Sequence, residues 1–292
     1  MNWTSRWTGS WRIAGAVIAL VITGSWLPLF LGRVSPIWDA FDFYGPYTML
    51  VGDFARHGRF LLWNPFINGG SPDYLEPQTG AFSPLVVLVG AVAGGSRHGF
   101  ELYWLLVWLL GPLGVLTLGR HLGAPAWGGL VAALGVAFGG YYTGNAEHTS
   151  MLATLSFLPW TLWRMDAALT SQRVRPAVEA GALWGLSALG GYPGLVLLNA
   201  CFIGLWSLAR APLRRVIVAH ALMLVVGLVV LLPTYAGFFV EAPGYSRRAG
   251  ALPRTDAVES NALHPAGLMT AIRPEFALRD VFEYTDISMR SI

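Results

Sequence analysis

Charge is scarce in this sequence: Asp, Glu, Lys and Arg make up only 12% of its 292 residues, against about 25% in a soluble domain. So few charges cannot coat a water-facing globule, and with 54% hydrophobic residues and a mean hydropathy of +0.53 the chain belongs in lipid. Lysine is absent, so all nineteen basic residues are arginine. They are scattered along the chain rather than gathered on one face, which argues against a nucleic-acid surface. The single cysteine, Cys201, excludes an intrachain disulfide and a multi-thiolate zinc site. Also missing are a Walker loop, a dinucleotide glycine fingerprint, a Gly-x-Ser-x-Gly elbow and a His-Glu-x-x-His helix. Nucleotide-dependent and soluble-hydrolase chemistry are therefore disfavoured.

What is present is a series of long apolar runs. A helix crosses the hydrocarbon core with about 20 apolar residues, and Ile13 to Leu31, Phe100 to Leu118, Ala126 to Tyr142, Met151 to Leu169 and Val216 to Val240 qualify. The first run has no small-residue cleavage pattern after it and reads as an uncleaved anchor. Pro176 to Ala209 would measure about 50 Å as one helix and is broken by Gly190-Gly191-Tyr192-Pro193-Gly194, so it is a hairpin of two helices. Ala81 to Gly94 has only fourteen residues and reads as a re-entrant or interfacial element. The expected fold is all-α, a polytopic transmembrane helix bundle of about seven spans.

Arginine placement sets the orientation. With the N-terminus cytoplasmic and Ala81 to Gly94 not crossing, Arg6, Arg12, Arg120, Arg164, Arg173, Arg175, Arg210, Arg214 and Arg215 all fall inside, as the positive-inside rule requires. The acids then sort without having been used: only Asp166 and Glu179 of sixteen fall inside. The working surface is therefore expected outside, on the loop 32–80, the loop 144–150 and the segment 241–292. Residues 1–240 are read as the membrane domain and 241–292 as an outer segment of what is expected to be a longer protein.

The outer loops carry the chemistry. Asp39 and Asp42 follow the first span among Trp38, Phe41, Phe43, Tyr44 and Tyr47. On a helical turn they share a face, and partly apolar surroundings suit a carboxylate to general-base work. Solvated loop acids or helix caps account for them equally. Phe43 to Arg59 has an amphipathic pattern, with Met49, Leu50, Phe54 and Phe60 opposite Asp53, Arg56 and Arg59, and predicts an interfacial helix. Trp63 is placed to stack on a sugar or simply to sit at the interface. Asn145, Glu147 and His148 crowd an amide, a carboxylate and an imidazole into one short turn, and a cross-loop pair of Asp42 and Glu147 is expected, with His148 or His264 supplying a proton or meeting a phosphate. Arg247 and Arg248 are natural ligands for phosphate oxygens. No carboxylate or arginine interrupts the middle of a span, which counts against a proton- or ion-coupled pump.

The order of several segments resembles the YfhO-like bacterial integral membrane proteins of the GT-C glycosyltransferase class. These are Asp42-Phe43-Tyr44-Gly45-Pro46-Tyr47; Gly58 to Pro65 followed by Gly69-Gly70-Ser71-Pro72; Phe82-Ser83-Pro84-Leu85; and Gly139-Gly140-Tyr141-Tyr142 leading into Glu147-His148 and Leu158-Pro159-Trp160. The resemblance implies a long first periplasmic loop bearing the catalytic acid, with Asp42 as the base, Asp39 as its neighbour or substitute and Glu147 as the second-loop acid. It further implies a polyprenyl-phosphate sugar donor and an acceptor in the cell-envelope glycan or a lipid, at the outer face of a bacterial inner membrane. The class admits a divalent metal, although scattered carboxylates define no site for one. A lipid or saccharide transporter or flippase and a non-catalytic membrane scaffold are the competing expectations.

Overall fold

Apolar runs become helices wherever proline or glycine does not stop them. The computed structural model describes residues 3–67, 69–171, 173–241 and 244, and Met1–Glu241 forms one compact unit. Its α-helices are α1 Trp3–Phe30, α2 Gly45–Arg56, α3 Pro84–Ala93, α4 Arg97–His121, α5 Ala126–Phe138, α6 Gly140–Gly144, α7 Thr149–Ser171, α8 Val174–Ala188, α9 Pro193–Arg210 and α10 Leu213–Val240. No strand occurs among the described residues; the one extended contact is an isolated antiparallel bridge between Asn64 and Ser71. Proline opens α3 and α9, where its missing N–H costs nothing. The Ser96 hydroxyl opens α4 by accepting from the Gly99 N–H at 3.1 Å.

Four helices are long and apolar enough to cross a membrane: Ser10–Phe30 within α1, then α4, α9 and α10. Three further helical segments occupy the remaining expected places in chain order. Of these, α5 has 13 residues and runs into α6 at Gly139. Next, α7 has 23 residues but carries Arg164, Asp166 and several hydroxyls. Last, α8 has 15 residues and buries Ala177, Ala180, Gly181 and Trp184 between α7 and α10. The Pro176 to Ala209 run is indeed two helices, turning at residues 189–192.

Side-chain contacts gather the helix ends into two groups. At the basic end Asp166 of α7 accepts from Arg210 Nε of α9 at 2.7 Å and pairs with His121 Nε2 of α4 at 3.0 Å, while Glu179 pairs with Arg164 and with Arg175. At the other end the loop 57–83 covers α7, α9 and α10 through contacts described below. Between the two, Trp26 of α1 packs edge-on against Trp104 and Trp108 of α4, with ring centroids 4.6 and 5.7 Å apart.

The amphipathic segment is helical, over Gly45–Arg56 rather than Phe43 to Arg59. Its apolar side is covered by protein as well as facing the interface: Gly52 touches Gly90 of α3, and a methyl on Gly52 would lie 3.1 Å from the Gly90 Cα. Two bare glycines let the α2 and α3 backbones meet, so Met49, Leu50 and Phe54 pack on the core. With ten residues, α3 is too short to span. Its Leu85 and Leu88 share a cavity with Leu106 to Leu113 in the middle of α4, while Ala93 and Gly94 at its end meet Gly99 at the start of α4. The short apolar element is therefore re-entrant, running from beside the middle of α4 back to its first turn.

Candidate functional site

After α1 the chain leaves helical geometry at Trp38, whose φ of 51° is left-handed, a conformation costing a bulky residue of order 1–3 kcal/mol. The next five residues, Ala40–Tyr44, form a π-helical turn, a wide turn found frequently at functional sites. The Trp38 carbonyl accepts from the Phe41 and Asp42 N–H groups at 2.8 and 2.9 Å, which fixes the intervening residue, Asp39. Gly45 closes the turn because a Cβ there would stand 2.9 Å from the Ala40 carbonyl oxygen.

Asp39 is the acid that this geometry turns towards the second loop. Its Oδ2 lies 3.9 Å from His148 Nε2, and the other ring nitrogen, Nδ1, lies 3.5 Å from Glu147 Oε1. One imidazole thus stands between two carboxylates contributed by segments more than one hundred residues apart. His148 is held by its backbone, whose carbonyl accepts from Met151 N at 2.9 Å as α7 begins. Its Nδ1 is shielded from solvent yet makes no hydrogen bond. Both separations exceed a direct hydrogen bond and leave the ring free to exchange a proton with a third group, as catalytic contacts in an empty site commonly do.

The other expected residues fall differently. Asp42, expected to pair with Glu147, is exposed and makes no hydrogen bond or ion pair among the described residues. The π-helical turn, set by the Trp38 backbone, gives Asp39 the contact with His148. Asn145 spends its amide on its own helix, donating to the Tyr141 carbonyl at 2.9 Å, and so reads as a helix stop. Trp63 is half-exposed and lies over Gly70 of the same loop, beside the Asn64–Ser71 bridge. Arg247, Arg248 and His264 lie outside the described residues.

Sequence reasoning missed a polar network beside this cluster. The Tyr44 hydroxyl donates to Gln78 Oε1 at 3.0 Å and lies 2.7 Å from Ser150 Oγ, which itself donates to Gln78 Oε1 at 2.9 Å. This triangle ties the π-helical turn, the short 3-10 turn Pro77–Thr79 and α7. Burial, the largest effect, and the nearby charges of Asp39 and Glu76 push the Tyr44 hydroxyl up to about 12, so it stays protonated as a donor. Burial, with Asp73 and Glu76 adding, does the same to Tyr47. Only the turn residues around Ser71, Pro72 and Pro77 hinted at this network.

Asp73 is the buried acid of the first loop, and one of its oxygens has no hydrogen-bond partner. Burial lifts its carboxyl above the ordinary carboxylate range, and Glu76 adds to this, while Asn64, Ser71 and Tyr47 pull the other way. A carboxyl with raised proton affinity makes the folded state hold more protons, so stability falls as pH rises from the unfolded value of 3.8 towards the folded one. Asp73→Asn is expected to raise the unfolding temperature at neutral pH and to remove that acid-range component. Thermal unfolding across pH measures both.

Beneath the polar groups, an apolar cavity of about 410 Å³ runs between α3, α4, α7 and α8, walled by Leu85, Leu88, Leu106, Leu110 and Phe157 with Ser83 at its edge. Among the described residues no three His, Cys, Asp or Glu side chains are arranged to hold a metal ion. Family models, curated proteins and solved structures gave no match to this chain.

Proposed function

We propose that this protein is a membrane glycosyltransferase that moves a sugar from a polyprenyl-phosphate donor to an acceptor hydroxyl of the cell-envelope glycan or a lipid. The observation that carries the reading is the meeting of Asp39, His148 and Glu147 from two loops, at the end of the bundle towards which the apolar cavity rises. A lipid-linked donor needs both features: an apolar channel for its chain and acid–base groups where its phosphate emerges. The family resemblance of the loop segments supports the same class.

In this reaction Asp39 takes the proton of the acceptor hydroxyl, whose oxygen attacks the anomeric carbon as the bond to the lipid phosphate breaks. His148 donates a hydrogen bond to the departing phosphate oxygen and Glu147 orients the ring. One displacement inverts the anomeric configuration. The seven-span arrangement is α1, α4, α5 with α6, α7, α8, α9 and α10, in a bacterial inner membrane with the N-terminus cytoplasmic and the cluster outside. Transfer of labelled sugar from polyprenyl-phosphate donors, by membranes with and without this chain, tests the activity; equal transfer overturns it.

Topology is testable through the single cysteine. In a Cys201→Ala background a membrane-impermeant maleimide applied to intact cells is expected to label Gly144→Cys and to spare Leu122→Cys until the membrane is opened. Gly144 has no atom near enough to obstruct a new side chain, and Leu122 is exposed. The reverse pattern inverts the proposed orientation.

A further inference from the structure

A second cavity, of about 420 Å³, lies at the basic end and is lined by Arg173, Arg214 and Arg215 over Ala219, Val218 and Leu222. Its volume falls in the range of small-molecule sites. The two acids at this end are already engaged, Asp166 by Arg210 and His121 and Glu179 by Arg164 and Arg175. Arg173, Arg214 and Arg215 make no ion pair among the described residues, and all three are exposed. They stand at the start of α8 and in the first turn of α10, where positive charge opposes the helix dipole. Three like charges around one hollow, with no acid left nearby to offset them, are complementary to an anion. The wall below them is aliphatic and belongs to α10, a helix apolar enough to span.

We propose that this cavity binds an anionic phospholipid, its phosphate held by Arg173, Arg214 and Arg215 and the start of an acyl chain lying on Val218, Ala219 and Leu222. Planar guanidinium groups suit phosphate oxygens through paired N–H donors. A free phosphate satisfies the arginines and leaves the aliphatic wall in water; a lipid satisfies both. The inference does not depend on the sugar-transfer reading, since it uses the opposite end of the bundle.

The test uses the full chain in detergent micelles with phosphatidylglycerol and phosphatidylcholine in equal amounts, retained lipid being counted by native mass spectrometry. Phosphatidylglycerol is expected to be retained selectively. A juxtamembrane arginine contributes about fivefold in affinity, so Arg214→Gln with Arg215→Gln is expected to weaken retention about 25-fold. Arg56→Gln with Arg59→Gln removes as much charge from the outer loop and is expected to change nothing. Ala219→Trp keeps every arginine and fills the wall, and it too is expected to lower retention, which separates a built site from diffuse attraction. Unfolding temperature, read in parallel, identifies any variant that fails to fold, and Ala219→Trp and the glutamine pair then stand in for one another. Unchanged retention in the folded variants, or full displacement by inorganic phosphate, overturns the lipid site.

Discussion

Asp39→Asn is expected to slow sugar transfer by about 10²- to 10⁴-fold, the usual loss when a positioned general base is removed. Asparagine preserves shape and hydrogen-bonding reach but cannot take a proton. Because Asp39 is exposed on one side and packs no core, helix content and unfolding temperature are expected to stay at wild-type values. The loss is expected in kcat with KM little changed, since the base acts as the acceptor hydroxyl attacks. His148→Ala is expected to fall in the same range, and Asp42→Asn to stay near wild type because Asp42 is turned to solvent. Assays with polyprenyl-phosphate donors in membranes carrying each variant distinguish these cases. A loss confined to Asp42→Asn moves the base to that residue, as the family resemblance implies, and overturns the assignment to Asp39.

Leucine at Gly181 or valine at Gly185 is expected to give the largest loss of stability in the described bundle. On α8 these two positions present bare backbone to α10. A Cβ on Gly185 would stand 2.6 Å from Val230 Cβ and 2.8 Å from the Gly227 carbonyl oxygen, and one on Gly181 would stand 2.9 Å from Val226 Cβ and 3.1 Å from the Met223 Cα. Much of what the new side chains meet is backbone, which cannot swing aside. Small residues four apart are how membrane helices approach closely, and overpacking such a seam costs about 1–3 kcal/mol or more. Gly204→Leu on α9 meets no atom within 4 Å and serves as the tolerated control. Thermal unfolding of the detergent-solubilised protein, with the fraction remaining monodisperse, measures the difference. An unfolding temperature for Gly185→Val equal to that of Gly204→Leu contradicts the seam.

The helices were legible because lipid imposes one rule on every spanning segment: enough apolar residues, ended by charge, proline or glycine. That rule located the hairpin at Gly190 to Gly194 and marked the α3 segment as too short. It did not reveal the Gly181–Gly185 seam, because a small residue announces neither its partner nor its depth. Nor did it choose between Asp39 and Asp42. That choice depends on the left-handed backbone at Trp38 and the π-helical turn after it, which no periodicity encodes. The chemical density of Glu147-His148 was visible because the loop is so short. The Tyr44, Gln78 and Ser150 triangle was not, since its members lie as many as 106 residues apart and only the folded bundle brings them together.

The covering loop has a bearing on the order of assembly. Between Tyr44 and Ser83 almost every lasting partner comes from chain made later: Ser150 for Tyr44 and Gln78, Gly190 for Ser83, Gly237 for Tyr74 and Leu75, and Glu241 for Tyr74 across 167 residues. During synthesis this loop therefore emerges with nothing to rest on and waits until α10 has entered the membrane. The Asp39–His148–Glu147 cluster needs only α7 and can form earlier, but the enclosure around it is completed by the last helix. Proteolytic protection of the loop is thus a timer for insertion: it arrives when the final span does, and the site becomes shielded only in a chain that has finished crossing.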